Sequence, residues 1–431
     1  MKLVVQTTRE LHGNIIPPSS KSETIRAFVL TMLAGGRSVL HNVLESDDTH
    51  SAIEVCRGLG AIITREEDTY IVESTGVPLD NAQKNINSGN SGITTRFILP
   101  ALGLRKNVDE KIILDCAEQM RQRPVESIVK ALNGLGMRIE SVNNDARLPL
   151  RVSGKLIGGS VEVDGTTSQY LSALLLSAPY AEKDIEITVS NLQERPYVDM
   201  TLALLSEQGI VYEHKREDDV DTYIITLGQK YQPFEKVIPI DFSSASYPIT
   251  ASCIIPGHVT IEGVDLDSTQ GDRRLIAILQ EMGAVITIGN NKLIIHGGKP
   301  LHGTRIDAND IPDMLPTLAI IGAYAEGETI IENVAHARIK ETDRIKSMTE
   351  GLKKMGADVE ELLDGMIVKK SMLHGAEVHG YDDHRTIMAL GLAGMLATGE
   401  TVIDTAEGIN KTFPNYVELM QSLGAGINVT S

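Results

Sequence analysis

The chain has 431 residues, a formal net charge of -18, 42% hydrophobic and 23% charged residues and no biased tract. That length implies more than one domain, and the acidic balance argues against a nucleic-acid partner, which needs a broad basic surface. Three cysteines, Cys56, Cys116 and Cys253, lie far apart without C-x-x-C spacing, which argues against a disulfide framework or a thiolate metal site and suits a reducing compartment.

The opening stretch, MKLVVQTTRELHG, is too short in apolar length for a signal peptide. The apolar, uncharged run TIMALGLAGMLATG has 14 residues and falls short of a membrane span. A soluble, cytoplasmic protein with no membrane partner is expected.

In chain order, PPSSKSETIRAF comes first. Ser20 and Glu23 have capping-box spacing, which places Lys21, Ser22 and Arg26 on the first turns of a helix, where free N–H groups favour anions. The same residues also suit an ordinary solvent-facing helix start. SGNSGITTRF follows, with two glycines around Asn90 that let backbone N–H groups converge on an anion. It lacks the Lys-[Ser/Thr] ending of a nucleotide loop, and a plain turn explains it as well. EQMRQRPV offers Arg121 and Arg123, either as anion forks or as a basic surface loop. In DGTTSQYLSALLL, the hydroxyls of Thr166, Thr167 and Ser168 precede an apolar helix and suit either capping or phosphate binding. The stretch GQKYQPFEKVIPIDF, residues 228–242, reads as a crossing between two halves.

DANDIPDMLPTLAIIG then puts Asp313 at the start of an apolar helix, as a dipole partner or a general base. RIKETDRIK holds six charges in nine residues; were it helical, Lys340 and Arg344 would stack and repel, so the stretch reads either as a solvated face or as one wall of an anion site. YDDHRTIMAL sets Asp383, His384 and Arg385 before another apolar helix, and NKTFPNYVELM does the same with Lys411. No His-x-x-x-His or comparable spacing occurs, so no metal is expected.

A repeat underlies these motifs. Helical patterns end at Gly60, Gly136, Gly209, Gly283, Gly356 and Gly424, at successive spacings of 76, 73, 74, 73 and 68, each followed by alternating strands. AVITIGNNKLIIHGG reads as a hairpin around Asn290 and Asn291. Six α/β units of roughly 70 residues, dividing as three plus three, are expected.

The motifs SSKSETIR, ESDDT, GNSGITTR, RQRPV, TSQYLSALL, PYVDMT, DFSSASY, QGD, IPDMLPTLA, RIKETDRI, DDHR and NKTFPNY, nearly the whole chain in order, resemble the 5-enolpyruvylshikimate-3-phosphate synthases. The resemblance implies an α/β (α+β) fold of two domains, each of three βαβαββ-type units in an inverse α/β barrel-like arrangement, with the active cleft between them. Residues 1–19 with 240–431 would form one domain, its first strand from the N-terminus, and 20–239 the other. The implied reaction passes the enolpyruvyl group of phosphoenolpyruvate to the 5-hydroxyl of shikimate 3-phosphate and releases phosphate, with no cofactor, in a monomer.

By the same resemblance, Asp313 would take the hydroxyl proton, and Glu341, assisted by Lys21, would protonate the methylene. Lys21, Gly92, Arg123, Arg344, Arg385 and Lys411 would hold phosphoenolpyruvate. Ser22, Arg26, Thr167, Ser168, Gln169, Tyr197 and Lys340 would hold shikimate 3-phosphate, with Asn90, His336 and His384 on the same walls. Gly92 would leave room for glyphosate. Four positions depart from the usual pattern: Ser19, Ile93, His336 and Glu194. At Glu194 a carboxylate replaces a serine and would repel the phosphate unless it turns away or pairs with Arg195.

Two alternatives stay open. One is the sister enzyme acting on UDP-N-acetylglucosamine, which carries a loop cysteine before an Arg-Pro; Cys116 lies two residues too early and reads as a buried strand residue. The other is a non-catalytic anion-binding protein on the same scaffold.

Overall fold

The computed structural model describes residues 1–80 and 83–431. The chain divides into two compact units, Met1–Pro18 with Ile240–Ser431, and Ser19–Pro239. Each has its own aliphatic core, one built around Leu318, Met348 and Leu390, the other around Phe28, Leu99 and Leu174. No helix among the described residues is long and apolar enough to cross a membrane.

The described residues form six four-stranded sheets of one design. In the sheet of Asn85–Asn87, Ile112–Asp115, Leu150–Gly154 and Met137–Ser141, the first two strands pair in parallel and the remaining pairings are antiparallel. Strand, helix, strand, helix, hairpin is therefore the repeated unit. A parallel pair needs a crossover, and a helix supplies it. All six glycines of the sequence repeat have positive φ, from +71° to +109°, and Asn290 and Asn291 form a left-handed hairpin turn at +51° and +56°.

Three units are continuous in the chain and three borrow a strand. Glu235–Val237 joins Gly36–His41 in parallel, so the stretch 228–242 is more than a crossing: part of it completes a sheet of the second unit. Leu11–Ile15 joins Gly257–Glu262 in parallel, and Lys2–Val5 lies between Thr401–Ile403 and Ile427–Thr430. The first body is thus stitched from both ends of the sequence.

In every unit the first helix is buried nearly all round. Lys21–Ala34, Gly92–Ala101 and Ser168–Ser177 serve in one body, and Phe242–Ile254, Leu315–Tyr324 and His384–Leu396 in the other. Side chains such as Leu30, Phe97, Leu175, Tyr247, Ile320 and Leu390 have 0% exposure. A helix without a wet face can expose polar groups only at its ends, and its first N–H groups need acceptors there.

The borrowed strand gives a test. A Cβ on Gly257, which has φ +145°, would lie 1.9 Å from the Leu11 carbonyl oxygen. Gly257→Ala should cost about 3 kcal/mol or more. Gly209→Ala meets nothing within 4 Å and should cost about 1 kcal/mol. Urea-denaturation midpoints of the two variants check the order.

Candidate active site

In the body formed by Ser19–Pro239, the predicted residues gather at the starts of its three buried helices. Ser20 caps the Lys21–Ala34 helix by accepting from the Glu23 amide. Lys21 is buried and its Nζ lies 3.1 Å from Asp48 Oδ2. Arg26 is turned inward rather than toward solvent. It donates to Thr201 Oγ1 (2.8 Å), the Ser22 carbonyl (3.0 Å) and the Tyr197 carbonyl (2.9 Å), and it lies over the Phe97 ring. Burial lowers its pKa to about 10, against the opposing charges of Glu23 and Tyr197. Arg26 thus ties Ser22 to the start of the Arg195–Glu207 helix.

Ser91 caps the Gly92–Ala101 helix through the Thr94 amide, and Asn90 Nδ2 donates to Gln119 Oε1 at 2.7 Å. Gly92 is needed for space: a Cβ there would lie 2.5 Å from Arg123 Nη1 and 2.9 Å from Arg96 Nη1. Of the two arginines in EQMRQRPV, Arg123 is buried at Gly92, whereas Arg121 is spent on Asp115 and Glu118. Arg96 was not singled out by the sequence reading. Its Nη1 donates to Gln169 Oε1 at 2.7 Å and its Nη2 to the Pro124 carbonyl at 3.0 Å, joining two helix starts. Thr167 caps the Ser168–Ser177 helix by accepting from the Gln169 amide.

Glu194 does not turn away from the helix start. Its Oε2 accepts from the Ser168 amide (3.2 Å) and hydroxyl (2.8 Å), while Arg195 makes a fork to buried Asp221 at 2.6 and 3.1 Å.

In the other body, Arg344 organises the cluster. Its Nε donates to Asp383 Oδ2 (2.8 Å), its Nη1 to Asp313 Oδ1 (2.7 Å) and its Nη2 to Glu341 Oε2 (2.6 Å). Burial would discharge it, but Asp383, Glu341 and Asp313 outweigh that penalty and raise its pKa. Arg385 Nη2 reaches the second oxygen of Asp313 at 2.5 Å. Asp313 itself sits in the 3-10 turn Pro312–Met314 that leads into the Leu315–Tyr324 helix.

RIKETDRIK is not one helix. Residues Ala335–Ile339 form a 3-10 turn, Asp343 caps a new helix by accepting from the Lys346 amide, and Arg344 is its first residue. Lys340 therefore precedes the helix and does not stack on Arg344. Arg338 pairs with Asp343 and Glu361 at 2.7 and 2.9 Å. The positive charges of Arg338 and Arg344 thus serve carboxylates of the same body.

Asp383 caps the His384–Leu396 helix through the Arg385 amide, and His384 is buried beside it. Lys411 Nζ donates to the Asp382 carbonyl (2.6 Å) and lies 2.9 Å from its carboxylate. His336 is buried and lies in the field of Asp313. Burial lowers its pKa to about 4 against the backbone of Asn309 and the charge of Asp313, so the ring is neutral near pH 7. Among the described residues its Nε2 has no hydrogen-bond partner. Asp272, a second residue that sequence reasoning missed, accepts from Ser243 Oγ, and burial with the neighbouring charge of Asp313 raises its carboxyl.

Cys116 lies one residue past the strand Ile112–Asp115 and is buried; burial and Asp115 push its thiol up to about 12. No group of three His, Cys, Asp or Glu among the described residues could hold a metal ion.

Each body therefore gathers cations, helix N-termini and polar side chains at one end of its three buried helices. The chain matches the family model of EPSP synthase (3-phosphoshikimate 1-carboxyvinyltransferase) over residues 5–420. It is 45% identical to the 3-phosphoshikimate 1-carboxyvinyltransferase of Acetivibrio thermocellus over 96% of this chain and 97% of that one. It is 41% identical to that of Ruminiclostridium cellulolyticum over the whole of both. The solved structure of EPSP synthase from Acinetobacter baumannii superposes over 100% of both chains with a TM-score of 0.83 at 25% identity.

The Arg344 cluster yields a stability prediction. Arg344→Leu leaves Asp383, with 0% exposure, without its guanidinium and should cost about 3–5 kcal/mol. Arg344→Lys, unable to fork to three carboxylates, should recover only part of the loss in chemical denaturation.

Proposed function

Because the chain belongs to the EPSP synthase (3-phosphoshikimate 1-carboxyvinyltransferase) family, we propose that its two clusters divide the work of one enolpyruvyl transfer in the shikimate pathway. The substrates are phosphoenolpyruvate and shikimate 3-phosphate, and the carrying observation is the shared pairing of Asp313 with Arg344 and Arg385.

Both substrates are anions that lose water on binding, so fixed cations and N–H dipoles must replace it. Lys21, Arg123, Arg344, Arg385 and Lys411 bind the phosphate and carboxylate of phosphoenolpyruvate, with the backbone at Gly92. Ser22, Arg26, Thr167, Ser168, Gln169, Tyr197 and Lys340 bind shikimate 3-phosphate. Asn90, His336 and His384 complete these walls, neutral His336 offering its Nε2 as a hydrogen-bonding group.

Glu341, assisted by Lys21, delivers a proton to the methylene carbon. Asp313 takes the proton of the 5-hydroxyl as its oxygen attacks the adjacent carbon. Loss of phosphate, with removal of a proton from the new methyl group, regenerates the enol on the acceptor. The same guanidiniums that neutralise Asp313 and Glu341 in the free protein are those that receive phosphoenolpyruvate, so binding exchanges internal partners for the ligand's charges. A cytoplasmic monomer is part of this reading.

A phosphate-release assay tests it. Release from phosphoenolpyruvate should require shikimate 3-phosphate, and UDP-N-acetylglucosamine should not replace it. Asp313→Asn and Glu341→Gln should each lower kcat by about 10²–10⁴-fold. Cys116→Ala, which changes a buried thiol, should leave turnover within about twofold; release without an acceptor, or a dead Cys116 variant, refutes the assignment.

A further inference from the structure

Glu194 is a buried acid beside the proposed acceptor residues to which the reaction gives no task. It has 2% exposure, and its carboxylate spans the amide and hydroxyl of Ser168, the first residue of a ten-residue buried helix. That helix already has a cap, since Thr167 Oγ1 accepts from the Gln169 amide. The Ser168 amide needs an acceptor of its own, but not a charged one, and burying a carboxylate is costly unless hydrogen bonds offset it.

The backbone is held so that this contact forms. Glu194 is left-handed, with φ 56° and ψ 39°, a conformation in which the Cβ crowds the following carbonyl oxygen. The preceding loop is laced to the loop before Thr167: the Gln193 amide donates to the Gly165 carbonyl (2.9 Å), and the Gly165 amide to the Ser190 carbonyl (3.1 Å). Gly165 allows this approach, because a Cβ there would lie 2.6 Å from Leu192 Cα. Arg195, the adjacent cation, is drawn off to Asp221, which His214 also contacts at 2.8 Å.

We propose that Glu194 is an internal stand-in for the acceptor's phosphate: its carboxylate occupies the Ser168 end of the helix until a phosphorylated acceptor displaces it. The inference rests on the assignment of Thr167, Ser168 and Gln169 to shikimate 3-phosphate. A phosphate monoester offers three acceptor oxygens and up to two negative charges, against two oxygens and one charge on the carboxylate. It therefore competes successfully for the same N–H and O–H donors, but at an affinity lowered by the displacement. Glu194 is thus a specificity-determining residue that weakens the hold on every phosphorylated acceptor without touching the donor.

Calorimetric titration of the full chain and of Glu194→Ser and Glu194→Gln with shikimate 3-phosphate, shikimate and inorganic phosphate tests this. The serine variant removes the acid, and the glutamine variant keeps its shape without its charge. Both should bind shikimate 3-phosphate about tenfold tighter than the parent, the effect of one charge-assisted hydrogen bond. Shikimate affinity and the KM for phosphoenolpyruvate should move less than about twofold. Unchanged or weaker shikimate 3-phosphate binding in both variants, or an equal gain for unphosphorylated shikimate, overturns the inference. If no protein binds shikimate 3-phosphate, the acceptor assignment fails on its own. The phosphate titration then decides whether Glu194 competes with an anion, tighter binding in both variants supporting it and no gain overturning it.

Discussion

Burying one helix of every repeat on all sides is the constraint from which the rest follows. Such a helix contributes its whole circumference to the core, which is how a chain with no Trp and five Phe fills two separate interiors. It also confines polar chemistry to its ends. The N-terminal N–H groups cannot be left bare, so Ser20, Ser91, Thr167 and Asp383 sit at helix starts and satisfy them. Three helices packed side by side bring three such starts together, and their dipoles add to an environment that favours anions. The local positive field of an acidic protein is therefore a by-product of how its cores are built.

The cations at those starts are not held in reserve. Lys21 has Asp48, Lys411 has Asp382, and Arg344 and Arg385 share Asp313. Removing any such charge from water without a partner would cost several kcal/mol, so the free protein supplies its own counter-ions. A ligand anion must outcompete a carboxylate at each point. In the roles proposed for Asp313 and Glu341, the exchange would leave each displaced carboxylate next to the bound substrate, which is where a base or an acid is useful.

Much of this was legible in the sequence because periodicity and capping are local. The six glycines mark helix ends with positive φ, and Ser20 caps through Glu23 as its spacing suggested. What was not legible depended on partners distant in the chain. Arg96 reads as an ordinary helical arginine until Gln169 and Pro124 are brought to it, and Arg26 looks solvent-facing until Thr201 and Tyr197 enclose it. RIKETDRIK is not one continuous helix for a local reason: Asp343 is a better cap than an interior residue, so the helix starts after it. The strand Glu235–Val237 was hidden because its partner lies about two hundred residues earlier, at Val39–His41.

Glu194 and Asp313 illustrate how one device serves two ends. Both are carboxylates placed beside the start of a buried helix, and both are held by groups to which a ligand-binding role is proposed above. They differ in what surrounds them. Asp313 is gripped by two guanidiniums whose own charges persist when a ligand arrives, so it can be released while staying within reach of their field. Glu194 accepts from the amide and the hydroxyl of Ser168, neutral donors that an incoming phosphate would take in the proposed exchange. In the proposed reaction the first carboxylate is handed to the chemistry, whereas in the proposed stand-in role the second is pushed aside by the ligand.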